Sequence, residues 1–208
     1  MTRATPPDQE VPALRWAKLA GRCGETPAAL LVVNDCKHGH ACAGSTLRVN
    51  LIRSSYDPDP LPEIGHHDMA FGLEPVAADF SVADATRRAQ AFNAPLLPVA
   101  TTVHDGRLPP TLGLIDLQGQ DVVLSGVKLA EKDKGMIVRL YETAGADTKA
   151  AVVLASQIAA PVDACAVDLM ERPLKEAAKP ALTTRAVKCT VSAFDLSTVW
   201  IKVKRAKA

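Results

Sequence analysis

An antiparallel β-sandwich, mainly β with one short helix around 81–93, is the fold class this 208-residue sequence predicts. Three observations lead there. Short apolar or alternating runs recur at close spacing, about ten in all, as in all-β sandwiches. Fifteen prolines gather mostly in connectors such as YDPDPLPEIG (56–65) and RLPPTLG (107–113), where a missing N–H removes no ladder bond. A single segment shows helical periodicity.

The runs can be taken in order. AALLVV (28–33) is a continuous apolar stretch of the kind a buried strand shows. In TLRVNLI, Leu47, Val49 and Leu51 alternate with Arg48 and Asn50, the period-two signature of a half-buried strand. HHDMAFGLEP (66–75) continues it, with Met69, Phe71 and Leu73 expected on one inward face. SVADATRRAQAFN (81–93) changes period: Ser81 is an N-cap candidate, Val82, Ala85, Ala89 and Phe92 share a helical face, and Pro95 follows the end. Strands are then expected at 122–130, 136–142, 150–155, 165–170 and 186–203. Residues 1–27 read as an N-terminal segment and linker, and 28–208 as the sandwich region, with a subdivision near 76–95. There is no internal repeat.

Composition bounds the function classes. Apolar residues make up 48%, charged residues 23%, and net charge is +1, so no global field draws the chain to nucleic acid or an anionic membrane. The basic end at Lys202, Lys204, Arg205 and Lys207 reads as a solvated tail. MTRATPPDQEVPALRW lacks the apolar core of a secretory signal, and no apolar run approaches the roughly 20 residues that span a bilayer. Five cysteines without framework spacing point to a reducing, cytoplasmic location.

The stretch NDCKHGHAC (34–42) invites a metal, because Cys36, His38, His40 and Cys42 alternate along it. Zinc requires its ligands within about 2.0–2.3 Å of one point. Alternate strand residues stand about 6.6 Å apart, so four of them extend over about 20 Å and cannot converge. The reading preferred here is a strand end turning at Gly39 and Gly44, with the cysteines packed as small hydrophobes. His66-His67-Asp68 contains an H-x-D pair, but no further ligand lies near it in sequence. His104-Asp105-Gly106 has the residue types of a turn. Phosphate-loop, dinucleotide, nucleophile-elbow and C-x-x-C motifs are absent.

Several stretches together resemble the C-terminal β-sandwich region of glycoside hydrolase family 38, the α-mannosidases, in their bacterial and cytosolic branch. EVPALRWAKL (10–19) is similar to a segment with Val-Pro followed by Arg-Trp-Ala. LLVVNDCKHGHACAGSTLRVNLIRSSYDPDP (30–60) resembles the family's Asn-Asp-Cys/Ser-Lys-Tyr-Gly core and the strands and Pro-Asp-Pro loop after it. IGHHDMAFGLEP (64–75) resembles a Gly-x-His-Glu-Phe strand, with His67 and Asp68 at the His-Glu positions. FNAPLLPV, VVLSGVKLAEKDKGMIVRLYE and ERPL (171–174) extend the likeness to roughly 10–203. Two positions depart: His38 stands where Tyr is usual, and Ser45 where Asn is common.

The resemblance implies part of a galactose-mutarotase-like supersandwich, without the N-terminal domain that carries the nucleophile, the acid/base carboxylate and the zinc. It places His66-x-Asp68 in the sandwich motif rather than in the zinc motif. No catalytic or metal-ligating residue is therefore assigned, and no cofactor is expected in this chain, zinc belonging to the full-length enzyme. The expected function is a non-catalytic module that supports a mannosidase catalytic domain and helps wall its mannose cleft. Asn34, Asp35, Lys37, His38 and His67 are the cleft candidates. For Asn34, Asp35 and Lys37 two readings stay open: contacts to sugar hydroxyls, or a turn whose Asx side chains cap backbone amides. The alternatives are a stand-alone carbohydrate-binding or interaction module, and an inactive remnant of a truncated gene, which the Met1 start just upstream of the similar text would fit. The partners expected are the catalytic domain or α-mannoside glycans, with no nucleic acid and no membrane. A homo-oligomer formed through an exposed apolar patch is a further expectation.

Overall fold

The computed structural model describes residues 6–106, 108–132 and 134–206. Two compact units divide the chain, Thr2–Pro98 and Val99–Ala208. Strands dominate both; among the described residues every strand pairing is antiparallel and one helix occurs, at the expected place.

In the first unit, β1 (Val11–Pro12) pairs with β4 (Gly39–Ala43), which pairs with β5 (Thr46–Asn50). A second three-stranded sheet orders β2 (Trp16–Cys23), β3 (Thr26–Asn34) and β6 (Phe71–Val76). Two-residue loops close the β2–β3 and β4–β5 hairpins. Each begins with a glycine in the left-handed region, Gly24 at φ 61° and Gly44 at φ 55°, where a Cβ would be strained.

Helix α1 (Val82–Asn93) covers one face of the β2–β3–β6 sheet. Ser81 caps it, its Oγ accepting from the Asp84 amide at 3.0 Å, and Asp84 adds negative charge in the first turn. Ala85 and Ala89 are fully buried against Leu31 and Val33, with Trp16, Val76 and Phe80 packed around them. The alanines let helix and sheet approach closely. Trp16 Nε1 donates to Thr86 Oγ1 at 3.2 Å, and Lys18 Nζ donates to the Phe80 carbonyl at 2.7 Å, so the start of β2 is tied to the helix and to the segment just before its cap.

The structure corrects two expectations here. Within the segment expected as N-terminal segment and linker, Trp16–Cys23 is a strand, in register with Thr26–Val33 over its whole length. In β6 the expected inward face is reversed. Phe71 and Leu73 are 39% and 69% exposed, while Gly72, Glu74 and Val76 lie on the helix side. Room for the helix decides it, because Phe92 crosses directly over Gly72. The strand also starts at Phe71, leaving His66–Asp68 outside it.

The second unit is a sandwich of two four-stranded sheets. One orders β12 (Ala181–Leu182), β13 (Ala186–Val191), β10 (Thr148–Leu154) and β7 (Ile115–Gln118). The other orders β11 (Ala159–Val167), β14 (Leu196–Arg205), β9 (Met136–Glu142) and β8 (Val122–Leu129). Alternate residues from both sheets fill the space between them, Val138, Leu140, Val152, Val187, Val191 and Ile201 being fully buried in one cluster. The run expected as one strand at 186–203 is two strands, β13 in one sheet and β14 in the other, separated at 192–195, where Phe194 takes φ 54°. The strand expected at 165–170 stops at Val167, because Asp168 opens a turn. Among the described residues, no helix is long and apolar enough to cross a membrane.

Candidate functional site

β3 ends in the turn that carries the sequence candidates. Asn34 is its last residue and is fully buried. Its side-chain Oδ1 accepts from the Lys37 amide at 2.7 Å, closing an Asx turn over residues 34–37. Its backbone N–H donates to the Arg15 carbonyl at 2.9 Å, and its carbonyl accepts from Asn93 Nδ2 at 3.0 Å. The turn is thereby anchored to the chain before β2 and to the end of the helix. Asn34 Nδ2 is buried without a hydrogen-bond partner.

Asp35 stands at the exposed crest. Its Oδ2 accepts from the Ala70 amide at 3.1 Å, and its own amide donates to the Ala70 carbonyl at 3.3 Å. This two-way contact brings the segment entering β6 against the turn. The Cys36 thiol, followed by the Ala70 amide, holds the Asp35 carboxyl below its ordinary value, and the same carboxylate pushes the Cys36 thiol up. Of the two readings of Asn34–Lys37, the structure shows the turn: the Asx side chains cap amides, and Asp35 stands exposed near half-buried Lys37.

The other candidates are placed separately. The exposed His38 fixes the chain through its carbonyl, which accepts from the Ala13 amide at 2.8 Å. His67 is exposed and lies 2.7 Å from the Glu63 carbonyl, in the segment before β6; its recorded contact is local and not to the 34–38 turn. His66 Nε2 meets Asp68 Oδ1 at 3.1 Å on the open surface.

The metal question has a geometric answer. Cys36 and His38 precede β4 and are exposed, His40 is 3% exposed within it, and Cys42 is half-buried. No group of three or more His, Cys, Asp or Glu side chains that could hold a metal ion occurs among the described residues. The donors in this stretch do not fit zinc. His40 instead packs as a buried imidazole with neither ring nitrogen hydrogen-bonded, and burial pushes its basicity down.

Sequence reasoning missed what fixes the turn, Asn93 and Ala70. An Asx-x-x-Lys pattern announces the local turn, but partners 59 and 35 residues away leave no local trace.

Comparison with known proteins bears on both units. The family model described as "Glycosyl hydrolases family 38 C-terminal beta sandwich domain" matches residues 121–199. Alpha-mannosidase 2C1 of Homo sapiens is 30% identical over 190 residues, which cover 90% of this chain and 17% of that protein. Alpha-mannosidase of Saccharomyces cerevisiae is 26% identical over 141 residues, 58% of this chain and 12% of that one. A crystal structure of a glycosyl hydrolase family 38 protein from Enterococcus faecalis superposes with a TM-score of 0.69 at 18% identity. It covers 97% of this chain and 23% of its own, and shares the fold. The chain thus spans less than a quarter of the length of the relatives it matches.

Proposed function

In a chain that carries the C-terminal β-sandwich domain of the family 38 glycosyl hydrolases, we propose that the protein is the non-catalytic portion of an α-mannosidase-like enzyme, supporting its catalytic portion and helping to wall the mannose cleft. One observation carries this reading: 90% of the chain aligns, over 190 residues, with 17% of a human α-mannosidase. On this reading the aligned module supplies surface to a larger enzyme.

In this reading the reaction chemistry stays with the catalytic portion. Retaining glycosidases use one carboxylate as nucleophile and a second as acid, then base. The contribution of this chain is positioning. The 34–37 turn suits it, because the Asn34 carbonyl and the Lys37 amide on either side of the exposed Asp35 are held by side chains before any sugar arrives. An ionised Asp35 accepts from sugar hydroxyls, and Lys37 supplies donors beside it. Zinc belongs to the catalytic portion. Five cysteines without disulfide-framework spacing support a reducing compartment.

The test is reconstitution. A family 38 α-mannosidase truncated before the region aligned here would be co-expressed with this chain, and association followed by size-exclusion chromatography. Asp35→Asn should leave association intact and raise KM for an aryl α-mannoside at least about tenfold, the loss of one charge-assisted contact. An unchanged KM would remove the turn from the cleft.

A further inference from the structure

A cavity of about 270 Å³ lies in the Val99–Ala208 unit, on the outer side of the β8–β9–β14–β11 sheet. Its wall is Trp200. In β14 the flanking Val199 and Ile201 point into the core, so the half-buried indole stands on the opposite face. Two connections flank it: the β8–β9 loop, with Ala130 and Glu131, and the turn after β11, with Met170, Glu171 and Arg172. Gly135 lets the first press against the indole, since a Cβ there would come within 2.5 Å of Trp200 Nε1.

This corner is built rather than loose. Asp168 Oδ1 accepts from the amides of Met170 and Arg172 at 2.8 and 2.9 Å, and its Oδ2 accepts from Arg172 Nε at 2.7 Å. The turn forces Glu171 to φ 63°, a left-handed conformation that costs a non-glycine residue energy. The result aims the Glu171 carboxylate across at the other loop. It meets Lys128 Nζ at 2.7 Å and the Glu131 amide at 2.8 Å, while Lys128 also pairs with Glu131 at 2.5 Å. Two loops about 40 residues apart in sequence are thereby clasped around an aromatic wall, and the Trp200 Nε1 and Arg139 Nε donors at this corner are buried without partners.

The chemistry of the rim selects a class of ligand. Lys128 pairs with Glu131 and Glu171, and Arg172 with Asp168, so charges of both signs meet at the rim and most of them are already paired. Carboxylate acceptors and cationic donors alternate around an apolar surface of indole and Met170. Hydroxyl groups both donate and accept, so they match such a rim, and the C–H face of a sugar ring matches the floor. The volume falls below the range of about 300–1,000 Å³ typical of drug-sized pockets, which suits one ring.

We propose that this cavity binds a single neutral pyranoside, laid on Trp200 with its hydroxyls held by Glu131, Glu171 and Arg172. The proposal is independent of the cleft reading, whose residues all lie in Thr2–Pro98.

The test is a titration of the full chain with methyl α-D-mannopyranoside, followed by amide NMR. The Trp200 indole peak is assigned by its loss in Trp200→Phe. Mannitol, which has the hydroxyls but no ring, serves as control. The expected result is a saturable, millimolar-range shift of the Trp200 indole and the Glu131, Glu171 and Arg172 amides. Mannitol and Glu131→Ala should each weaken it at least about tenfold, with the amide spectrum of Glu131→Ala otherwise unchanged because that side chain is 72% exposed. The proposal is overturned if those signals stay still to tens of millimolar, if shifts map only to Trp16 or the 34–37 turn, or if mannitol or Glu131→Ala matches the unmodified titration.

Discussion

Glu142 accepts a hydrogen bond of 2.9 Å from the backbone N–H of Phe194, joining the end of β9 to the β13–β14 turn. The same buried carboxylate accepts from the amides of Ala144 at 2.6 Å and Gly145 at 2.7 Å. One side chain therefore caps two turns that are 52 residues apart.

Replacing Glu142 by Gln turns an acceptor into a donor facing amides that already donate. Glu142→Gln should cost about 1–3 kcal/mol, the penalty of buried polar groups left unmatched, read as a lower urea midpoint at unchanged slope. Burial alone would raise this carboxyl, but the amides of Phe194, Ala144 and Gly145 outweigh it and hold it below its ordinary value. Its stabilisation is therefore complete above the unfolded carboxylate value and is lost as pH falls through the lowered one. Glu142→Gln should lack this acid-side loss.

Asn34→Ala removes the acceptor of the Lys37 amide at the end of β3. A loss of about 1–2 kcal/mol is expected, as for other side-chain caps, together with faster hydrogen exchange of the Lys37 amide. Protection unchanged at that amide would show that the turn is held without the Asn34 side chain.

Gly72 is required by packing. A Cβ there would lie 2.7 Å from Val33 Cγ2 and 3.3 Å from Phe92 Cε2. Gly72→Ala should destabilise by about 1–3 kcal/mol through overpacking, and adding Val33→Ala should recover part of it in a double-mutant cycle. Additive losses would place the clash elsewhere.

This position shows where sequence reasoning reached its limit. The run at 66–75 gave the strand, but Met69, Phe71 and Leu73 were the apolar set, and the helix covers the other face. Period two identifies two faces without saying which one a later element will cover. The helix itself was legible from Ser81 to Asn93, because its cap and period are local. Trp16–Cys23 was read as linker, since its Ala, Lys, Gly and Arg carry little strand propensity and β3 imposes the pairing. In the turn, Asn34 and Asp35 were legible by type, whereas Asn93, Ala70 and the Trp200 cavity depend on contacts between distant segments.

His40 adds a second acid-side loss, at higher pH than that of Glu142. Burial pushes its imidazole below the ordinary value of about 6.5. The unfolded chain then binds the proton first, so stability is full above that value and falls as pH drops below it. The urea midpoint should decline between about pH 7 and pH 5, and His40→Phe should flatten that decline. An identical slope in His40→Phe would assign the titration to another group.

Hydrolysis of an aryl α-mannoside with added zinc tests the central claim most directly. The assay compares this chain alone, a family 38 catalytic portion truncated before the aligned region, and the two together. The account predicts no turnover above the blank for the chain alone and recovered turnover for the pair. Turnover by the chain alone that disappears on chelation, or a pair no more active than the truncated portion, would contradict it.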